Sequence, residues 1–143
     1  MPTSTRTAEL GSALRVSVMR LARRLRHERP ADMPPLTHLA TLGTLDRHGP
    51  MTPGELAAHE RVQPPSMTRI LAVLGEQGLI TRAPHPTDRR QVLVALTDDA
   101  RALLREDRRR RDQWLSRQLA QLTPADRAVL ADAAVLLDRL ARS

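Results

Sequence analysis

Leu10, Leu14, Val18, Leu21 and Leu25 recur three and four residues apart within residues 8–29. That spacing predicts a helix with one apolar stripe. The prolines of Arg29-Pro30-Ala31-Asp32-Met33-Pro34-Pro35 end it, because proline cannot continue a helix. A second helix is expected from about Pro35, with Leu36, Leu39, Leu42 and Leu45 buried. It stops at Arg47-His48-Gly49-Pro50, where basic residues close the last turn, glycine follows and proline blocks continuation. Thr52-Pro53-Gly54-Glu55 opens a short third helix: threonine caps, proline fits the first turn and glutamate stands where a capping box needs it. Leu56 and Ala57 face inward, and this helix ends near His59-Glu60. After the turn Arg61-Val62-Gln63, Pro64-Pro65 starts a fourth helix that carries Met67, Ile70, Leu71 and Leu74 and stops at Gly78.

The pattern then changes. Leu79 to Ala83 and Gln91 to Leu96 are short and rich in Leu, Ile and Val. They flank Pro84-His85-Pro86-Thr87-Asp88-Arg89-Arg90 and read as a β-hairpin with a polar tip. Thr97 caps a long helix, with Asp98 and Asp99 in its first turn, that runs to about Leu122. Thr123-Pro124 restarts the chain, and Leu130, Val135, Leu137 and Leu140 mark a last helix. No internal repeat, low-complexity segment or flexible linker interrupts the order. The expected fold class is mainly α with a small β-hairpin wing. A winged helix-turn-helix would occupy 31–97, and 1–30 with 98–143 would form a helical dimerisation region, all in one compact chain.

Composition narrows the picture. The chain has 143 residues, a formal net charge of +7 and no cysteine. The length suits one domain with at most an accessory bundle. Without cysteine there are no disulfides, thiolate zinc sites or cysteine nucleophiles. No apolar run of about 18 residues exists to span a membrane. The first residues lack a secretory signal pattern, so the expected location is the cytoplasm. All 23 basic residues are arginine, and Asn, Phe and Tyr are absent, a usage typical of a GC-rich genome. Residues 1–30 hold seven Arg against two acids, 31–97 six against six, and 98–143 ten against eight. The net charge therefore lies mainly on the first helix. It permits a nucleic-acid partner, but any DNA reading has to come from individually placed arginines.

Residues 52–78 have the spacing of a helix-turn-helix, whose second helix enters the major groove. Gln63, Pro64, Pro65 and Ser66 form the start of that helix, a turn whose free N–H groups can meet phosphates. Ser66, Thr68 and Arg69 supply hydroxyls and a forked donor for base edges or phosphates. The hairpin tip would bring Arg89 and Arg90 to a neighbouring groove, where a narrow minor groove attracts arginine. Asp88 is read as the residue that orients Arg90. Ser66 and Thr68 can equally cap the helix start, Arg89 can equally sit in solvent, and Met67 reads as packing. Gly75 costs the helix about 1 kcal/mol.

The stretch from Gly49 to Thr97, with Gly78-Leu79-Ile80-Thr81-Arg82 and Asp88-Arg89-Arg90 followed by Leu96-Thr97, resembles the core of the MarR family of bacterial transcription regulators. The flanking helices lie where that family places its dimerisation helices. The resemblance implies a homodimer on pseudo-palindromic double-stranded operators, usually repression, and often release by a small phenolic or other aromatic ligand. It maps Pro64 to Arg69 onto the start of the recognition helix. Arg82 falls on the basic residue after the Gly-Leu-Ile strand, and Asp88 and Arg90 on the wing's Asp-x-Arg.

The apolar stripes of the outer helices point independently to a second copy, because the short hairpin and compact helices cannot cover them. Leu10, Leu14, Leu115, Leu119, Leu130, Leu137 and Leu140 are the interface candidates. Such a dimer would set its recognition helices about 34 Å apart, one turn of DNA. Trp114 is expected to pack where the long helix meets the rest, with a place in the ligand cavity as the alternative. Arg108 to Arg111 cover every side of a helix and are flanked by Glu106, Asp107 and Asp112, so they read as a solvated, salt-bridged segment. The histidines are scattered without metal-ligand spacing, so no metal is expected. His38, near where the family's ligand cavity opens, is a ligand-contact candidate, with a surface or packed histidine as the competing and favoured reading. No nucleophile elbow, phosphate loop or dinucleotide fingerprint is present, so neither an enzyme nor a cofactor is expected. The alternative reading is an architectural DNA-binding protein without sequence-specific regulation.

Overall fold

Local signals in the chain set the element order of this computed structural model, which describes residues 2–143: α1 (Pro2–His27), α2 (Leu36–His48), α3 (Pro53–Glu60), α4 (Pro64–Glu76), β1 (Ile80–Pro84), β2 (Val92–Leu96), α5 (Asp98–Ala120) and α6 (Pro124–Ala141). The helix α1 begins well ahead of the residue-8 start that apolar spacing suggests. Proline suits a first helical position, and the Thr7 hydroxyl donates to the Thr3 carbonyl at 2.9 Å. Caps set several other boundaries. The Thr52 hydroxyl accepts from the Glu55 amide at 3.2 Å, and that of Thr123 accepts from the Asp126 amide at 3.1 Å. Each satisfies a helix-start donor that would otherwise be left over.

The chain divides into two units, one of Met1–Arg29 with Arg109–Ser143 and one of Pro30–Arg108. The division falls inside α5. Its first turns belong to the second unit, where Ala100 and Leu104 are buried.

The core of Pro30–Arg108 is built from one face of each helix. From α2 come Leu39, Leu42 and Leu45, from α3 Leu56 and Ala57, and from α4 Met67, Leu71 and Leu74. Burying each large side chain stabilises the unit by about 1.5–3 kcal/mol. Leu36 corrects the expected α2 stripe: it is 48% exposed, because it lines an open concavity beside Val62 and Ile70 instead of the closed core. The strands pair antiparallel, with Ile80 opposite Leu96 and Arg82 opposite Val94. Met51 adds a bridge to Val94, with amide–carbonyl distances of 3.1 and 2.8 Å, and so pins the hairpin base to the segment before α3. Arg108 lies 3.6 Å from Asp46, a solvent-screened contact between α5 and α2.

In the other unit, Arg24 stacks over the half-buried Trp114 ring at 4.9 Å and pairs with Glu28 at 2.6 Å. The Arg127 guanidinium donates to the Leu122 carbonyl at 2.7 Å and closes the α5–α6 turn. No residue of α6 is buried, although the helix carries Val129, Leu130, Val135, Leu136, Leu137 and Leu140. Leu10 and Leu14 on α1 are exposed too, and Leu115 and Leu119 on α5 are half-buried.

Candidate nucleic-acid interface

The presentation of α4 follows from its first residues. Gln63 adopts an extended conformation and makes no side-chain cap, and Pro64 and Pro65 preset the φ of the first turn. The Met67 amide closes that turn on the Gln63 carbonyl at 3.1 Å. Met67 is 1% exposed and packs into the core, as expected. With Met67, Leu71 and Leu74 inward, Gln63, Pro64, Pro65, Ser66, Thr68 and Arg69 are left on the exposed side. The first turn of α4 offers fewer N–H groups than its position at a helix start suggests. The prolines carry no N–H, so Ser66 is the only one of the helix's first three residues with an amide to offer a phosphate. Thr68 donates its hydroxyl hydrogen to the Pro64 carbonyl at 3.0 Å and therefore turns acceptor lone pairs outward.

The angle between α3 and α4 is set by the turn between them. Arg61 takes the left-handed conformation, with φ 54° and ψ 44°, the only non-glycine residue with positive φ among the described residues. Its amide and that of Val62 cap α3 by bonding the Ala58 and Ala57 carbonyls at 3.3 and 3.0 Å. The buried Thr44 hydroxyl of α2 donates to the Glu60 carboxylate, and Arg47 donates to the Thr44 oxygen at 3.4 Å. This network anchors the end of α3 to α2. Sequence reasoning had given it no role, because its partners lie 16 residues apart.

The wing tip is held by its own polar atoms. The His85 amide donates to the Gln91 carbonyl at 3.2 Å, and the Gln91 amide to the Asp88 carbonyl at 3.1 Å. Asp88 Oδ1 accepts from the Arg90 amide at 3.0 Å. Asp88 thus orients the main chain at Arg90 and leaves the guanidinium free to reach outward. Arg89 and Arg90 are exposed at the tip, and Arg82 is exposed on β1. Inside the tip, His85 Nδ1 accepts from the Thr87 and Asp88 amides at 3.2 and 3.1 Å, a contact that sequence reasoning missed. The residues singled out for DNA therefore fall on two presented elements, the start of α4 and the hairpin.

A concavity of about 240 Å³ lies among the helices of this unit, lined by Leu36, Thr37, Ala40, Thr41, Glu60, Val62 and Ile70. It is apolar apart from the threonine hydroxyls and the Glu60 carboxylate. The Thr41 hydroxyl is already used on the Thr37 carbonyl at 2.9 Å. His38 is not part of this lining, and its Nδ1 is buried without a hydrogen-bond partner. Among the described residues, no group of three or more His, Asp or Glu could hold a metal ion, and no helix is long and apolar enough to cross a membrane.

The chain is similar in sequence and fold to known proteins. Residues 35–92 match the sequence model of the MarR family. An HTH-type transcriptional regulator of Mycobacterium tuberculosis is 47% identical over 130 residues, covering 91% of each chain. The crystal structure of a transcriptional regulator protein from Pseudomonas aeruginosa superposes with a TM-score of 0.84 at 38% identity, covering 97% of each chain. A mutant of Staphylococcus aureus MepR, solved bound to an oligodeoxyribonucleotide, shares the fold, with a TM-score of 0.72 at 19% identity over 92% of this chain and 97% of that one.

Proposed function

The chain belongs to the MarR family of transcriptional regulators, and we propose that it acts as a homodimeric repressor that reads a pseudo-palindromic operator. The observation that carries this reading is the pairing of two presented surfaces in one unit. The polar start of α4 projects Ser66, Thr68 and Arg69, and the hydrogen-bonded wing tip projects Arg89 and Arg90. Gln63, Pro64 and Pro65 set the approach of α4 to the duplex, Arg82 meets a phosphate, and Asp88 holds Arg90 in register. That the MepR mutant was solved with an oligodeoxyribonucleotide supports DNA as the partner.

Dimerisation would proceed through the outer helices. The uncovered leucines of α1 and α6 supply the apolar surface, and Leu115 and Leu119 of α5 complete the stripe. A small ligand would release the operator from the concavity beside Ile70, because an occupant there bears directly on α4. Glu60 is the ionisable group of that wall. It disfavours an aromatic acid and favours a neutral or amine-bearing aromatic compound.

Selection of bound duplexes from a random pool tests the reading. A regulator enriches a pseudo-palindrome and binds it far more tightly than scrambled duplexes at matched salt. The log–log salt slope should be about −0.9 per phosphate neutralised. Equal affinity for scrambled duplexes would leave the architectural reading instead. Release assays with neutral, cationic and acidic aromatic compounds then separate the ligand classes.

A further inference from the structure

The wing tip contains an acceptor that no part of the DNA-contact pattern uses. His85 is half-buried, and its Nδ1 lies 3.2 Å from the Thr87 amide and 3.1 Å from the Asp88 amide, with the Thr87 hydroxyl at 3.3 Å. A ring nitrogen facing two N–H groups has to be the unprotonated one, so the proton of the neutral imidazole is assigned to Nε2. In this arrangement the imidazole does the work of an Asn or Asp side chain in an Asx-turn, accepting from the backbone two residues on.

The contact belongs to a relay. His85 Nδ1 holds the Asp88 amide, Asp88 Oδ1 holds the Arg90 amide at 3.0 Å, and the Asp88 carbonyl takes the Gln91 amide at 3.1 Å. The Gln91 carbonyl in turn accepts from the His85 amide at 3.2 Å, which closes the ring of contacts. Pro86 adds a fixed φ between the two partners. The tip spans only the residues between β1 and β2 and has no apolar side chain buried beneath it. These polar contacts are therefore what defines its shape.

We propose that His85 is the positioning residue of the wing: its neutral Nδ1 gathers the Thr87 and Asp88 amides and thereby fixes the backbone from which Arg89 and Arg90 reach DNA. The proposal rests on the reading of the wing as a DNA contact. What it requires of position 85 is an acceptor at the Nδ1 place, not an aromatic ring.

The test compares three substitutions with Arg90→Ala, using full-length protein and a duplex selected by the wild-type chain. His85→Ala and His85→Phe should both weaken binding, by roughly 3- to 30-fold, the worth of one or two lost hydrogen bonds. Both should also lose hydrogen-exchange protection at the Thr87 and Asp88 amides. His85→Asn should restore affinity and protection together, because its Oδ1 can accept in the same place. Far-UV circular dichroism confirms that each variant is folded. Wild-type affinity or protection in His85→Phe would overturn the proposal, since a ring without an acceptor would then suffice. So would a failure of His85→Asn to recover. If Arg90→Ala binds as wild type, the wing reading falls. If Arg90→Ala weakens binding while His85→Ala does not, only the role of His85 falls.

Discussion

The Thr97 hydroxyl donates to the Gly78 carbonyl at 2.8 Å. The same oxygen accepts from the Ala100 amide at 3.2 Å, and the Thr97 amide donates to the Leu79 carbonyl at 3.2 Å. One side chain thus caps α5 and ties its start to the glycine turn that ends α4, where Gly78 has φ 71°. The hairpin leaves and returns through this junction, so the junction fixes the wing's base relative to α4.

Thr97→Val keeps the shape of the side chain and removes the hydroxyl. It should destabilise the fold by about 1–2 kcal/mol, from one lost cap and one lost hydrogen bond. Thr97→Ser should retain most of the stability. Urea unfolding of the three proteins measures this, and equal midpoints for wild type and Thr97→Val would show that the junction is dispensable.

Arg61 gives a test of the helix-turn-helix corner. Its left-handed backbone is unfavourable for any residue with a Cβ, and worst for a β-branched one. Arg61→Val should cost about 1–2 kcal/mol of stability. Arg61→Gly relieves the strain but adds freedom to the unfolded chain, so it should be neutral or gain up to about 1 kcal/mol. The order Gly above Arg above Val in thermal midpoint is the expected result.

Helix boundaries and core faces were largely legible in the sequence, because a buried stripe has to repeat at the helical period. Leu39, Leu42 and Leu45 show this, and the Thr52 and Thr123 caps have local signatures. Leu36 shares the stripe but not the burial, since periodicity gives a direction and not the extent of what covers it. The rest of the site was hidden for a similar reason. Arginine has no preference that announces a left-handed turn at position 61. The Thr44–Glu60 contact joins separate helices, and His85 acts through a ring nitrogen that composition cannot show to be an acceptor. The wing arginines could be named from the Asp-x-Arg pattern, whereas the atoms that hold them could not.

Gly75 sits within α4 at an exposed position, and a Cβ added there would meet nothing within 4 Å. Gly75→Ala should therefore stabilise the protein by about 0.5–1 kcal/mol through helix propensity alone. Calorimetric unfolding checks this. If stability rises while affinity for the selected duplex is unchanged, this end of α4 makes no close approach to DNA. A fall in affinity would place the DNA within a methyl group's reach of position 75.

At the wing, Arg90→Ala should weaken binding to the selected duplex by about 1–3 kcal/mol and leave the oligomeric state unchanged. Asp88 holds the Arg90 amide through Oδ1, so Asp88→Ala should reproduce most of that loss. Asp88→Asn keeps an acceptor oxygen in place and should recover much of it. Fluorescence anisotropy titrations at fixed salt rank the variants. Equal losses for Asp88→Ala and Asp88→Asn would mean that the carboxylate charge, and not its hold on the backbone, is what matters.

The last prediction concerns α6. A helix with an apolar stripe and no buried residue is not stabilised by packing in a single chain. Val129, Val135 and Leu140 are 66%, 63% and 62% exposed, and Leu130 and Leu137 continue the surface. Covering it with a second copy supplies the missing burial. Leu130→Asp with Leu137→Asp would place charges where that copy should sit, and a buried unpaired charge is strongly unfavourable. Sedimentation equilibrium should then show the mass of the 16.0 kDa chain instead of twice that value. Pro30–Arg108 has its own core, so the strand signal and the Met51–Val94 pairing should survive. Affinity for a two-half-site duplex should fall towards that for a single half-site, because the linked second contact is lost. An unchanged mass in the double variant would show that the apolar face of α6 is not what joins the copies.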